Sequence, residues 1–151
     1  MCRNSFVLLA AVLFLAGCGG SGRDNSEEAI RQMISEGQQV KPTTRVSGKV
    51  TIDGEPGNKV MISAFTEAGG TNAVAECSTQ PDGTYTWGTY VDGDGLPAGE
   101  YRLAFKRSAR MRPGSKDMLE GKYQNPMQND FTLTVVDGEE QTEVNYELTT
   151  N

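Results

Sequence analysis

The chain predicts an all-β fold: a seven-stranded antiparallel Greek-key β-sandwich, preceded by a signal peptide and a short tether helix. Three observations carry this. Apolar residues alternate with polar ones in short runs, as at Tyr101, Leu103 and Phe105, the period-two mark of a strand with one buried face. The runs are separated by turn pairs, Asp53-Gly54, Asp82-Gly83, Asp92-Gly93 and Asp137-Gly138. Glycine is abundant, 18 in 151 residues, while aromatic residues make up 7%, the balance of many short strands joined by tight turns.

Residues 1–17 read as an export signal. Arg3 supplies the positive start, and Phe6 to Leu15 is an apolar run too short to span a bilayer as a helix. Leu15-Ala16-Gly17-Cys18 matches the lipobox of bacterial lipoproteins, in which small residues precede the cysteine that becomes the lipidated first residue. Cys18 is therefore the expected lipidation site, and its acyl chains would hold the protein on a membrane at ~0.8 kcal/mol per buried methylene. By resemblance to bacterial sorting rules, Gly19 in place of aspartate favours the outer membrane. The expected location is the extracytoplasmic cell envelope.

Residues 18–44 form the tether. Gly19 to Arg23 is a flexible spacer. A short helix follows, with Asn25 or Ser26 as its cap, Ala29, Ile30, Met33 and Ile34 on one face, and Gly37 just past its end. Gln38 to Thr44 is an extended linker, with Pro42 discouraging helix before it. Residues 45–151 form the β-domain. Its strands are expected at Val46–Ile52, Val60–Phe65, Ala73–Ser78, Thr84–Trp87, Tyr101–Phe105, Phe131–Val135 and Val144–Leu148. Tyr85, Trp87, Tyr101, Leu103 and Phe105 make the heart of the core, since aromatic side chains bury the most apolar area. Ser108 to Asn129 lacks alternation and contains Pro113, Gly114, Gly121 and Pro126, so it reads as a long excursion with a short turn of helix near Asp117 to Glu120.

The segments V-S-G-K-V-T-I-D-G-E-P (Val46 to Pro56), P-D-G-T-Y (Pro81 to Tyr85) and L-P-A-G-E-Y-R-L (Leu96 to Leu103) resemble the transthyretin-like, carboxypeptidase-regulatory-like sandwich carried by small bacterial lipoproteins. The resemblance spans roughly Arg45 to Thr149 and rests on turn and packing residues, so it implies a fold and an accessory or adhesion-like module rather than a reaction. One enzyme of that fold, hydroxyisourate hydrolase, depends on histidines that this chain lacks. Relatives that form an isopeptide bond join a lysine on the first strand to an Asn or Asp on the last. Lys49 and Asn145 occupy those strands but alternate with core-facing residues, which directs both to solvent.

The absence of histidine removes the usual general base, the Ser-His and Cys-His pairs and the commonest transition-metal ligand. No catalytic, cofactor-binding or metal-binding residue is assigned, and the chain reads as a non-enzyme. A net charge of −6 repels phosphate backbones, so nucleic acid is not an expected partner. Asp92 and Asp94, with Asp82 and Glu100, are oxygen donors suited to calcium. Counting from Asp92, however, the closing glutamate of a calcium loop falls on Leu103, and turn chemistry accounts for the Asp-Gly run. Lys106, Arg107, Arg110, Arg112 and Lys116 form the one basic stretch, suited to anionic lipid or an acidic polysaccharide, or else a solvated loop. Tyr90, Trp87 and Tyr123 offer rings for stacking on a sugar or peptide, although alternation assigns such aromatics to the core. Cys2 leaves with the signal and Cys18 carries lipid. Cys77, in phase with Ala73 and Ala75, is expected inside the core as a small hydrophobe. The expected role is structural or interactive, with an envelope protein or polysaccharide as partner. The alternative is a glycan- or peptide-binding lipoprotein using the 108–129 loop near Met111 to Met127.

Overall fold

The computed structural model describes residues 25–37, 39–67, 72–110 and 114–150. The export signal, Cys18, the Gly19–Arg23 spacer, Gly69-Gly70, Met111, Arg112 and Pro113 lie outside the described residues. Helix α1 (Asn25–Ser35) forms where its pattern places it. Gly37 ends it with φ 82° and donates its N–H to the Ile34 carbonyl at 3.1 Å, a left-handed position that glycine takes without steric cost. Ile30 and Met33 are half-buried, while Ile34 is exposed.

Among the described residues the strands are, in chain order, β1 (Thr43–Thr44), β2 (Ser47–Ile52), β3 (Glu55–Pro56), β4 (Val60–Thr66), β5 (Ala75–Ser78), β6 (Thr84–Thr86), β7 (Leu96–Pro97), β8 (Gly99–Arg107), β9 (Thr132–Val135) and β10 (Tyr146–Leu148). Each of the seven expected runs carries a strand, longer than expected in β4 and β8 and shorter in the other five. The other three are two-residue additions. β1 pairs with β7, which carries β structure just ahead of the expected boundary at Arg45. β3 folds back on β2 across Asp53-Gly54, whose φ values of 52° and 83° are those of a two-residue hairpin turn.

One sheet has the order β5-β4-β8-β9 and is antiparallel throughout. Besides the two-stranded β1-β7 sheet there is a second four-stranded sheet, in which β2 is central. β6 and β3 pair antiparallel with its two halves, and β10 pairs with it in parallel through Tyr146↔Val50 and Leu148↔Ile52. This corrects the wholly antiparallel expectation. The chain leaves β9 at the Asp137-Gly138 turn and reaches the second sheet beside the start of β2, where Gln141 bridges Val46 in parallel. A distant strand is not held to the reversal that a hairpin imposes, so it enters in whichever sense the crossover delivers. A Cβ on Gly48 would run into the Val144 carbonyl, so β2 accepts this approach only with glycine there.

The alternating residues of both four-stranded sheets face one core. Trp87, Phe105, Leu103, Ile62 and Leu148 are fully buried, and Tyr85 and Tyr101 nearly so. Phe105 of one sheet meets Tyr146 of the other edge-on, with ring centroids 5.4 Å apart. Trp87 stands edge-on to Tyr85 at 6.2 Å. Each such side chain contributes about 1.5–3 kcal/mol by leaving water.

Candidate binding groove

A groove of about 800 Å³ runs between β5 and β6 and is walled on its third side by residues 88–93. Sequence chemistry builds that wall. Asp94 turns its carboxylate back onto the loop, Oδ1 accepting the Thr89 N–H at 2.6 Å and Oδ2 the Tyr90 N–H at 3.1 Å. The Thr89 hydroxyl donates to the Gly95 carbonyl at 2.7 Å. Tyr90 is thereby held half-buried, and its hydroxyl accepts the Lys41 N–H at 3.0 Å. Where Gln80 and Thr84 line the groove, Gln80 N–H donates to the Thr84 carbonyl at 2.7 Å, and Asp82 Oδ1 accepts both the N–H and the hydroxyl of Thr84. Those two bonds hold the Asp82 carboxyl below the usual carboxylate range.

The groove walls are hydroxyl-rich, through Ser78, Thr84, Thr86, Thr89 and Tyr90. Among the described residues their charged members are Glu76 and Asp92, with no Lys or Arg. Glu76 Oε1 accepts the Ser63 hydroxyl at 2.9 Å. Cys77 keeps the expected phase, but it is half-buried and lines the groove instead of lying fully inside the core. The reason is topological: β5 is an edge strand, with β4 on one side only. Burial, reinforced by the neighbouring Glu76 carboxylate, raises the Cys77 thiol above its usual range, so it stays protonated and weakly nucleophilic. A second hollow of about 650 Å³, lined by Phe65, Val74 and Ala75, shares Glu76, Gly88 and Thr89 with the first and extends it along β5.

The other singled-out residues fall elsewhere. Trp87 and Tyr123 are buried in the core, which leaves Tyr90 as the groove aromatic of the three. Asp94 is occupied by its own loop, Asp92 is exposed, and Glu100 lies beside Glu67, whose hydrogen bond raises its carboxyl. Among the described residues no group of three or more His, Cys, Asp or Glu could hold a metal. Lys49 and Asn145 are both exposed, and the Asn145 side-chain oxygen accepts the Lys49 backbone N–H at 2.8 Å, a tie between β2 and the last strand.

The described part of the long excursion, from Gly114 on, is tied to the domain. Asp117 is buried, and its carboxylate accepts the N–H groups of Arg107 (2.9 Å), Leu119 (3.1 Å) and Gly121 (2.9 Å) and the Gln124 side chain (3.0 Å). Asn129 donates to the carbonyls of Leu103 and Asn125, both at 3.0 Å. Leu119 and Tyr123 enter the core. What remains outside is a hollow of about 490 Å³ beside Arg110, Lys116 and the exposed Met118.

The groove had no signal in the sequence, because alternation looks the same in an edge strand and a central one. A scan against protein-family models finds no match for this chain, and a search of curated proteins finds none.

Proposed function

We propose that this protein is a lipid-anchored component of the bacterial cell envelope, tethered through Cys18, whose β-domain is a non-enzymatic interaction module. In this reading its seven main strands form a Greek-key sandwich of the transthyretin-like, carboxypeptidase-regulatory-like type. The lipobox at Leu15–Cys18 supports the anchor. The turn positions of the resemblance support the fold type, since Gly54 and Gly83 both take φ 83°. The observation that carries the interaction role is the groove itself, an accessible cleft bordered by two strand edges and lined by hydroxyls, with its one thiol kept protonated. Binding asks for such a surface. Catalysis would ask for an activated nucleophile or a tuned acid–base pair.

Two experiments on the full chain in bacterial cells test this. Labelling with an alkyne fatty acid should mark the protein, and Cys18→Ser should abolish the label and release the protein from membranes; an unlabelled wild type removes the anchor. A photocrosslinking side chain at Thr86 should give a discrete adduct that the same group at exposed Thr132, on β9, does not. A second reading, a glycan or peptide bound at 108–129, draws on the exposed Met118 beside Arg110 and Lys116. A crosslinker at Met118 that captures a partner while Thr86 stays silent would favour it.

A further inference from the structure

The outer edge of β5 has unspent hydrogen-bonding capacity. The Thr79 N–H donates to the Val60 carbonyl at 2.9 Å, just beyond the Ser78↔Met61 pair. In an antiparallel ladder that bond makes Ser78↔Met61 a non-hydrogen-bonded pair. The N–H and C=O of Ser78, and of Glu76 two residues earlier, therefore point away from β4. Across the groove, Trp87 N–H donates to the Val46 carbonyl at 3.0 Å, which in the same way turns the peptide groups of Thr86 outward from β2. Open rows of this kind are templates for another strand.

Charge selects the occupant. Glu76 stands on the edge itself, Asp92 belongs to the 88–93 wall, and the described groove residues include no cation. A second copy added antiparallel on β5 would bring the two Glu76 side chains close together, an unfavourable like-charge pair, and each copy carries a net −6. A cationic segment gains where a copy loses. We infer that the edge of β5 takes up an extended basic peptide segment of a partner protein by strand addition. In the register that satisfies the outward groups of Glu76 and Ser78, a Lys or Arg stands opposite Glu76, and small apolar residues beside it continue the inward face of Ala75 and Cys77. This deepens the interaction-module reading and rests on it.

The test uses the full lipidated chain in detergent micelles, with amide hydrogen exchange read by NMR. The probe is a peptide of about nine residues alternating lysine with valine, a common strand length. Its controls are the glutamate-for-lysine peptide and one N-methylated along its pairing side. Saturable binding of the lysine peptide should slow exchange at Glu76 and Ser78 by about tenfold, with neither control doing so. Ser78→Pro removes one outward N–H at an edge position that tolerates proline, and should weaken binding by about fivefold or more with unfolding unchanged. Glu76→Gln keeps an acceptor for Ser63 and should weaken it about threefold. Protection at Arg110 to Met118 instead, equal binding of the glutamate peptide, or wild-type binding by Ser78→Pro each overturns the inference. So does self-association that protects the same two amides without peptide. The Thr86 crosslink in cells reports independently on the groove as an interaction surface, so the broader reading can survive the loss of this one.

Discussion

Two connections, 88–95 and 114–129, are each polar and each folded around one aspartate. They differ in what they bury. Asp117 satisfies four donors and is itself buried, and the segment around it sends Leu119 and Tyr123 into the core. Asp94 satisfies two backbone donors, is half-buried, and leaves Tyr90 in the groove wall. A loop that inserts apolar side chains becomes part of the fold. One that keeps its side chains out of the core is left free to present a surface.

The sharpest way to break this contrast is to truncate the two tyrosines. Tyr123→Ala removes a buried ring that meets Phe131 edge-on at 5.6 Å, and should cost about 3–4 kcal/mol in urea unfolding. Tyr90→Ala should cost under about 1 kcal/mol, because its ring is half-exposed. Equal losses would mean that the two connections are not distinct in kind.

The aspartates come next. Asp117→Ala orphans the buried Leu119 N–H and the part-buried N–H groups of Arg107 and Gly121 and should cost about 2–3 kcal/mol, whereas Asp94→Ala should cost about 1 kcal/mol and register mainly in exchange of the Thr89 and Tyr90 amides.

A pH series sharpens the same point. Burial opposes ionisation of Asp117, but the N–H groups of Leu119 and Gly121, the Gln124 side chain and the Arg107 N–H outweigh it and hold the carboxyl below its ordinary value. With the folded pKa depressed, the unfolded chain binds more protons near and below pH ~4. The stabilisation is therefore complete above the unfolded value and is lost as pH falls through the folded one. Asp117→Asn should flatten that acid limb of a stability–pH curve, and an unchanged limb would show that other groups produce it.

The smallest effect concerns the thiol at the groove. Cys77 should label slowly with a thiol reagent in the native protein and rapidly after denaturation, and Cys77→Ser should cost about 1 kcal/mol or less. Fast native labelling would mean that the β5 edge opens far more readily than the rest of its sheet.

The strands and much of the core were legible in the chain. Alternation at Val46 to Ile52, Val60 to Phe65 and Tyr101 to Phe105 marks strands wherever they pair, and the Asp-Gly turns mark their ends, because both signals are local. Tyr85, Trp87, Tyr101, Leu103 and Phe105 are buried as their phase requires. Gly37 ends its helix for the same local reason. Tertiary structure alone decided which strands neighbour which. A period of two names the face a side chain occupies and says nothing about the strand alongside, so the parallel entry of β10 and the edge position of β5 left no trace in the pattern. The same limit explains Cys77, whose phase was readable but whose depth depends on having a neighbour on one side only. It also explains 114–129, where irregular backbone hides a buried aspartate and two core residues that only folding brings against β8.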